Sequence, residues 1–219
     1  MSDDSTSVPA EFESDSIAVR VDWEPHRPKD GANYRTRIAN RVSDQRINLE
    51  PSGMSKIIVI FVLVFGIISL VIGSSVTYLW LSGGFDKSGV EGDPGILKFV
   101  GPGFLLGAVV SLGGAIFLRK LLLAPIVIDR EIGKYWKGSD PTKDAKAFEL
   151  QQVYAIQILR KLVTQSGPDG GAYPSYEVNF VTKDADRFTA FDHGDLEPLR
   201  EDAELLAEFL SVPLWDASK

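Results

Sequence analysis

The sequence predicts an α+β membrane protein: a two-helix transmembrane hairpin joined to a small antiparallel β domain that ends in a helix. Three observations predict it. Residues 57–82 and 99–118 contain no charged side chain. Beyond residue 125, short runs alternate polar and apolar side chains. The last apolar run, from Leu199 onward, changes to helical spacing.

The membrane spans come first. A hydrocarbon core of about 30 Å requires roughly 20 apolar residues in helical form, and both uncharged runs are long enough. A helix in a soluble core normally keeps one polar face, and neither run has one. The expected divisions are a first span at 55–82, an external loop at 83–98 and a second span at 99–124. The first run starts too far along the chain, without a short basic leader, to read as a cleaved signal peptide. With no cysteine in the chain, disulfides and thiolate chemistry are excluded.

Charge sets the expected orientation. Arg35, Arg37, Arg41, Arg46 and Lys56 precede the first span, and Arg119, Lys120, Arg130, Lys134 and Lys137 follow the second. The connection between them has only Lys87 and Lys98, against Asp86, Glu91 and Asp93. Basic residues beside span ends mark the cytoplasmic side, so both termini are expected there, in a two-pass inner or plasma membrane protein. Tyr78 and Trp80 then fall at the outer interface, which suits amphipathic rings.

Small residues repeat within both spans. Gly103, Gly107, Ser111 and Ala115 are four apart, and Ser69, Gly73 and Thr77 offer a similar row. Lipid tails are as apolar as leucine, so close backbone packing is what holds such helices together. Packing within the hairpin is the plain reading, and a seam between two copies is the alternative.

Residues 1–32 are expected to be a disordered acidic tail. Residues 1–31 have eight Asp or Glu against three Lys or Arg, and too few large apolar side chains to offset ordering entropy. Within the tail, SIAVRV (16–21) could form one short strand. After Pro125, IVIDREIGKYWKG (126–138) reads as two short strands about a turn. FELQQVYAIQILRKLV (148–163) sets Phe148, Leu150, Tyr154, Ile156 and Ile158 on one face at period two. YEVNFVTKD (176–184), an Asp-Ala-Asp turn and RFTAF (187–191) read as a hairpin. Asp195 is placed to cap a helix with Pro198 in its first turn, and Leu199, Ala203, Leu206 and Leu210 form its stripe. Val212 to Trp215 is an extended apolar tail expected to pack on the domain.

These segments, IVIDREIGKYWKG, VYAIQI, YEVNFVTKDADRF and AELLAEFLSVPLWD, resemble the pleckstrin-homology-like (PH-like) domain of bacterial membrane proteins of uncharacterised families. The resemblance covers residues 125–216 and implies a fold rather than an activity. Such a fold has seven strands, and this stretch supplies five. NYRTRIANRV (33–42) and QRINLEP (45–51) are candidates for the missing pair, as juxtamembrane strands (33–54) joining the sheet of 125–219. The hairpin would then be inserted into the domain.

Little in the chain calls for chemistry. His193, in FDHGD (191–195), has acids on both sides but no nucleophile or third metal ligand near it, and reads as a turn and helix cap. His26 lies in the acidic tail. SGPDGG (166–171) lacks the lysine and hydroxyl of a phosphate-binding loop. No catalytic residue, metal site or cofactor is expected. Nucleic acid is disfavoured, because residues 125–219 carry 17 acidic against 11 basic side chains. Arg130, Lys134 and Lys137 alternate with Asp129 and Glu131, a poor headgroup pocket. Arg41, Arg46, Arg119, Lys120 and Lys134 are expected instead to meet anionic lipid non-specifically, at about 1 kcal/mol each.

The expectation is a non-enzymatic, membrane-anchored protein whose cytoplasmic domain binds a protein partner or a second copy of the chain. One alternative is an accessory subunit of a larger membrane complex, docked through the small-residue stripe. Another is a lipid-sensing or lipid-handling protein.

Overall fold

A computed structural model describes residues 8–26, 28–84, 94–144, 147–165 and 170–219. The chain divides into two units, one of residues 55–123 and one formed by residues up to 54 together with 124–219.

The first unit holds helices α1 (Gly53–Leu81, which begins two residues earlier) and α2 (Pro94–Leu122). Both are long and apolar enough to cross a membrane, with mean hydropathy of 3.0 and 1.8 over their most apolar stretches. Only about a fifth of each stretch is buried (22% and 17%), unlike the core helix of a soluble protein. Helix α2 starts inside the stretch expected as loop. Pro94 opens it, and a proline costs little in a first turn because its missing N–H would have no partner there. The rest of the expected loop, 85–93, lies outside the described residues.

The second unit contains two sheets. The first is an antiparallel meander of β1 (Arg37–Ser43), β2 (Arg46–Pro51), β3 (Ile126–Asp129), β4 (Lys134–Lys137) and β5 (Phe148–Glu149). β2 pairs β3 with Ile47 opposite Ile128 and Leu49 opposite Ile126. Chain from before α1 and chain from after α2 thus share one sheet. The β3–β4 turn is set by Asp129, whose carboxylate accepts the N–H groups of Glu131 and Ile132, and by Gly133 at φ +73°.

The second sheet has the order β8-β7-β6-β9, from β6 (Val153–Thr164), β7 (Ala172–Thr182), β8 (Arg187–His193) and β9 (Leu214–Ala217). Residues 166–169, the centre of SGPDGG, lie outside the described residues. Helix α3 (Leu196–Leu210) buries Leu199, Ala203, Leu206 and Phe209. They join Ile47, Leu49, Ile128, Tyr135, Phe148, Ile156, Ile158, Val178 and Phe180 in one core. Asp195 precedes the helix in an extended conformation, but its side chain makes no capping bond.

Two expectations need correction. Tyr154 does not share a face with Ile156. The β6–β7 register shifts between Val153 and Ala155, and the extra residue of this bulge turns Tyr154 to the outer face. Nor is the acidic segment a free tail from residue 8 onward, and 16–21 is no strand. Ala10–Phe12 form a 3-10 turn, and Val19 N and Val21 N close helical turns onto the carbonyls of Asp15 and Ile17. Ala18, Val21 and Trp23 are buried against the second sheet. Composition argues for disorder only if no surface awaits the few apolar side chains present; here one does. Residues 1–7 and Arg27 lie outside the described residues.

Candidate functional site

In the helical unit, α1 and α2 pack antiparallel through backbone contacts. A Cβ on Gly73 would stand 2.9 Å from Leu105 N and 3.0 Å from Gly101 O, and one on Gly66 3.0 Å from Leu112. One on Gly101 would overlap the Thr77 hydroxyl. Ser69 and Ala108 are buried. Thr77 Oγ1 is buried with no hydrogen-bond partner among the described residues.

Of the expected packing residues, Ser69, Gly73, Thr77, Ser111 and Ala115 lie on this seam or are buried beside it. Gly103 and Gly107 are off it, with open space where a Cβ would go. The reason is geometric. At 3.6 residues per turn, each four-residue step advances about 40° beyond a full turn. A row from 103 to 115 therefore winds round the helix and meets the partner only at its end. Gly101, Leu105, Ala108, Leu112 and Ala115 of α2 follow the seam, spaced by four and three residues, the repeat that keeps a seam facing its neighbour, and Ser111 meets Gly66 beside Leu112.

In the β unit, the expected headgroup contacts are largely occupied by acids. Arg41 lies 3.3 Å from Asp44 and 4.0 Å from Glu208, Arg46 3.9 Å from Asp129, and Lys134 3.3 Å from Glu149. Arg46 also stacks over Trp136. Arg119 and Lys120, in the last turn of α2, are exposed.

His193 is fully buried in β8 rather than in a turn. Its Nδ1 lies 3.1 Å from Thr36 N and 2.7 Å from Asp192 O, and its Nε2 lies 3.4 Å from Asp202 Oδ2. Asp202, on α3, also accepts from Arg35 at 2.7 Å and from the Ala39 N–H at 3.1 Å. One carboxylate thereby ties α3 to β8, to Arg35 and to the edge of β1.

The outer face of the second sheet is the most built surface of the domain. Every second residue of β6 and β7 points away from the core, and residues 8–26 and 28–34 lie over these positions as a strap. The apolar half of the strap sets Phe12, Ala18, Val21 and Trp23 against Tyr154, Ala155, Leu159, Val181 and Trp215. Phe12 stacks on Trp23 at 5.4 Å, and Trp23 packs on Trp215 at 5.7 Å. Trp23 Nε1 donates to Ala18 O within the strap itself.

The other half covers a buried polar network. Lys161 Nζ lies 3.3 Å from Glu177 and 3.7 Å from Asp192. Glu177 accepts the His26 N–H and the Asn179 side-chain amide, and Asp192 accepts the Ala32 N–H. Arg187 reaches Asp22 at 2.7 Å and Gln157 at 3.4 Å. Gly31 presses on Ser175 so closely that a Cβ there would overlap its side chain.

At the strap's edges, the carboxyl of Asp15 is partly desolvated, which raises its pKa. Hydrogen bonds from Ile17 N, Ala18 N and the Tyr154 hydroxyl outweigh that and hold it below the usual range. In the first sheet, burial pushes Tyr135 up to about 12, with the Arg37 guanidinium opposing and Asp144 adding to the shift. Burial lowers Arg37, which donates to the carbonyls of Leu49 and Ala124, where the chain leaves for α1 and returns from α2.

Sequence reasoning missed this face. Trp23 was its one signal: a large aromatic with Val21 two residues before it, inside an otherwise polar segment. No protein-family model, curated protein or solved structure matches this chain, so its functional reading rests on its own geometry.

Proposed function

We propose that this chain is a two-span membrane protein with a cytoplasmic, PH-like domain that binds a protein partner. The observation that carries the reading is the pairing of β2 with β3. Strands before and after two span-length helices belong to one sheet, which requires an even number of crossings between them. Both halves then occupy one side of the membrane, and the basic residues at the span ends favour the cytoplasmic side. Two sheets closed by helix α3 fit the PH-like resemblance, and β1 and β2 bring its strands to seven before the short β5 and β9 are counted.

Binding is favoured over turnover because the buried ionisable groups engage one another. Lys161 is held by Glu177, and Asp202 by Arg35 and His193. A lipid-sensing role is less favoured, since Arg41, Arg46 and Lys134 already face carboxylates. The accessory-subunit reading keeps one specific support: Gly103 and Gly107 lie open on α2, off the seam with α1.

The test is crosslinking of the full chain in intact membranes, with a reporter fused at Lys219 to read the side. A cytoplasmic signal and a discrete, stoichiometric crosslink to another protein are expected. An external reporter signal refutes the topology. Lipid-only adducts refute the protein-binding role.

A further inference from the structure

We propose that residues 9–23 are a releasable plug, and that the face beneath them is the docking face of the domain for an acidic, aromatic segment of the partner protein. This deepens the protein-binding reading above and rests on it. The plug itself shows what the face accepts.

The plug is a compact body of its own. Asp15 accepts the N–H groups of Ile17 and Ala18, Trp23 Nε1 closes onto Ala18 O, and Phe12 lies flat on Trp23. All of these contacts are internal to residues 9–23. The receiving face has two parts. Tyr154, Ala155, Leu159, Val181 and Trp215 make an apolar floor for the aromatic ring. Beside it, Arg187 is almost wholly covered and offers its guanidinium to the carboxylate of Asp22, the residue before Trp23. A cation so covered needs an acidic occupant. The required chemistry is a carboxylate adjacent to an aromatic side chain.

Release is compatible with the fold. The main core contains no residue of the plug, so the two sheets and α3 close without it. Plug and face are joined by few polar bonds, namely Arg187 to Asp22, Tyr154 to Asp15, Gln157 to the Asp22 carbonyl and Arg20 to the Lys183 carbonyl. The last three are exposed or half-buried, where water replaces a lost partner, and only Arg187 is covered and left calling for a new acid. The linker that follows stays in place: Glu177 accepts the His26 N–H as well as bonds from Lys161 and Asn179, and Asp192 accepts the Ala32 N–H.

The test uses the full chain in detergent micelles and a fluorescent peptide spanning residues 9–26. A seated plug lowers the apparent affinity by the fraction of time it leaves the face free. The Trp23→Ala chain is therefore expected to bind the peptide at least about ten-fold more tightly than the wild-type chain. A peptide carrying Trp23→Ala is expected to bind neither. Adding Arg187→Asp to the Trp23→Ala chain should abolish binding, and a peptide with Asp22→Arg should restore it.

A Trp23→Ala chain that keeps its cooperative melt but takes up no peptide overturns the proposal. If that chain does not fold, the same comparison is made with Asp22→Arg, which takes the carboxylate from Arg187 and from the Glu24 N–H and leaves the apolar floor intact, and absence of peptide binding there overturns it equally. A wild-type dimer that dissociates on Trp23→Ala would assign the face to the strap of a second copy and also overturn it. None of these results touches the membrane crosslink to a partner, so either reading fails separately.

Discussion

Ile47 stands opposite Ile128 in adjacent antiparallel strands, both fully buried, although two 29-residue helices lie between them in sequence. The β unit is one core assembled from two stretches of chain. Ile47→Ala should cost about 2–5 kcal/mol, as for other buried aliphatic truncations, in denaturant unfolding followed by the fluorescence of Trp136 and Trp215. A soluble fragment 125–219 should melt without cooperativity, and joining residues 33–51 through a flexible linker should restore a sharp transition. A monomeric 125–219 fragment with a cooperative melt of its own would contradict the shared core.

Gly73 and Gly107 separate the helix seam from the open side of α2. Gly73→Leu forces a side chain into the Leu105 backbone, whereas Gly107→Leu meets open space. The first should lower the detergent melting temperature of the full chain markedly and the second little. Equal losses would place both glycines on packed surfaces. A loss of oligomer on Gly107→Leu alone would favour the accessory-subunit reading.

Asp202 bonds Arg35, the Ala39 N–H and His193 at once. Asp202→Ala leaves a half-buried guanidinium, the half-buried Ala39 N–H and the buried His193 ring without their partner, so a loss of about 1–3 kcal/mol is expected. Asp202→Asn keeps one acceptor oxygen and should fall between. Chemical denaturation of the three chains checks the order.

Tyr135 predicts behaviour at alkaline pH. Its folded value of about 12 lies above the ordinary 10.0, chiefly through burial. The folded state therefore holds a proton that the unfolded state releases. The associated stability is complete below about pH 10 and declines as pH rises towards 12. Ultraviolet titration should show this tyrosine, one of six in the chain, ionising only near 12 or on unfolding. Tyr135→Phe should remove that late step and flatten the alkaline loss of stability.

Much of the fold was legible because its patterns are local. Val178 and Phe180 alternate towards the core as period two requires, and Leu199, Ala203 and Leu206 keep helical spacing. The uncharged runs needed only their length. What escaped depends on contacts between distant segments or on one-residue irregularities. The bulge at Val153–Ala155 reverses a face without any mark in composition. The stripe at 103, 107, 111 and 115 is a true regularity, but a four-residue step winds about the helix and carries Gly103 and Gly107 off the seam. The strap was hidden because the eight acidic residues of 1–31 outnumber its six buried or half-buried apolar side chains, and the face that holds them lies more than a hundred residues later.

The shared sheet has a consequence for biosynthesis. On the proposed topology, the β1–β2 hairpin leaves the ribosome before either span, and the second edge of β2 has no neighbour until β3 follows. At about 5–20 residues per second, the intervening stretch of roughly 75 residues takes about 4–15 s to make. Two early strands with open edges must wait through insertion of both helices. Their partner arrives on the correct side only if both helices have crossed. A chain that inserts one helix, or three segments in place of two, leaves Ile47 and Ile128 on opposite faces of the bilayer and cannot close its core. Completion of the domain thus acts as a checkpoint on membrane insertion, and a misinserted chain is left unfolded and open to quality-control proteases.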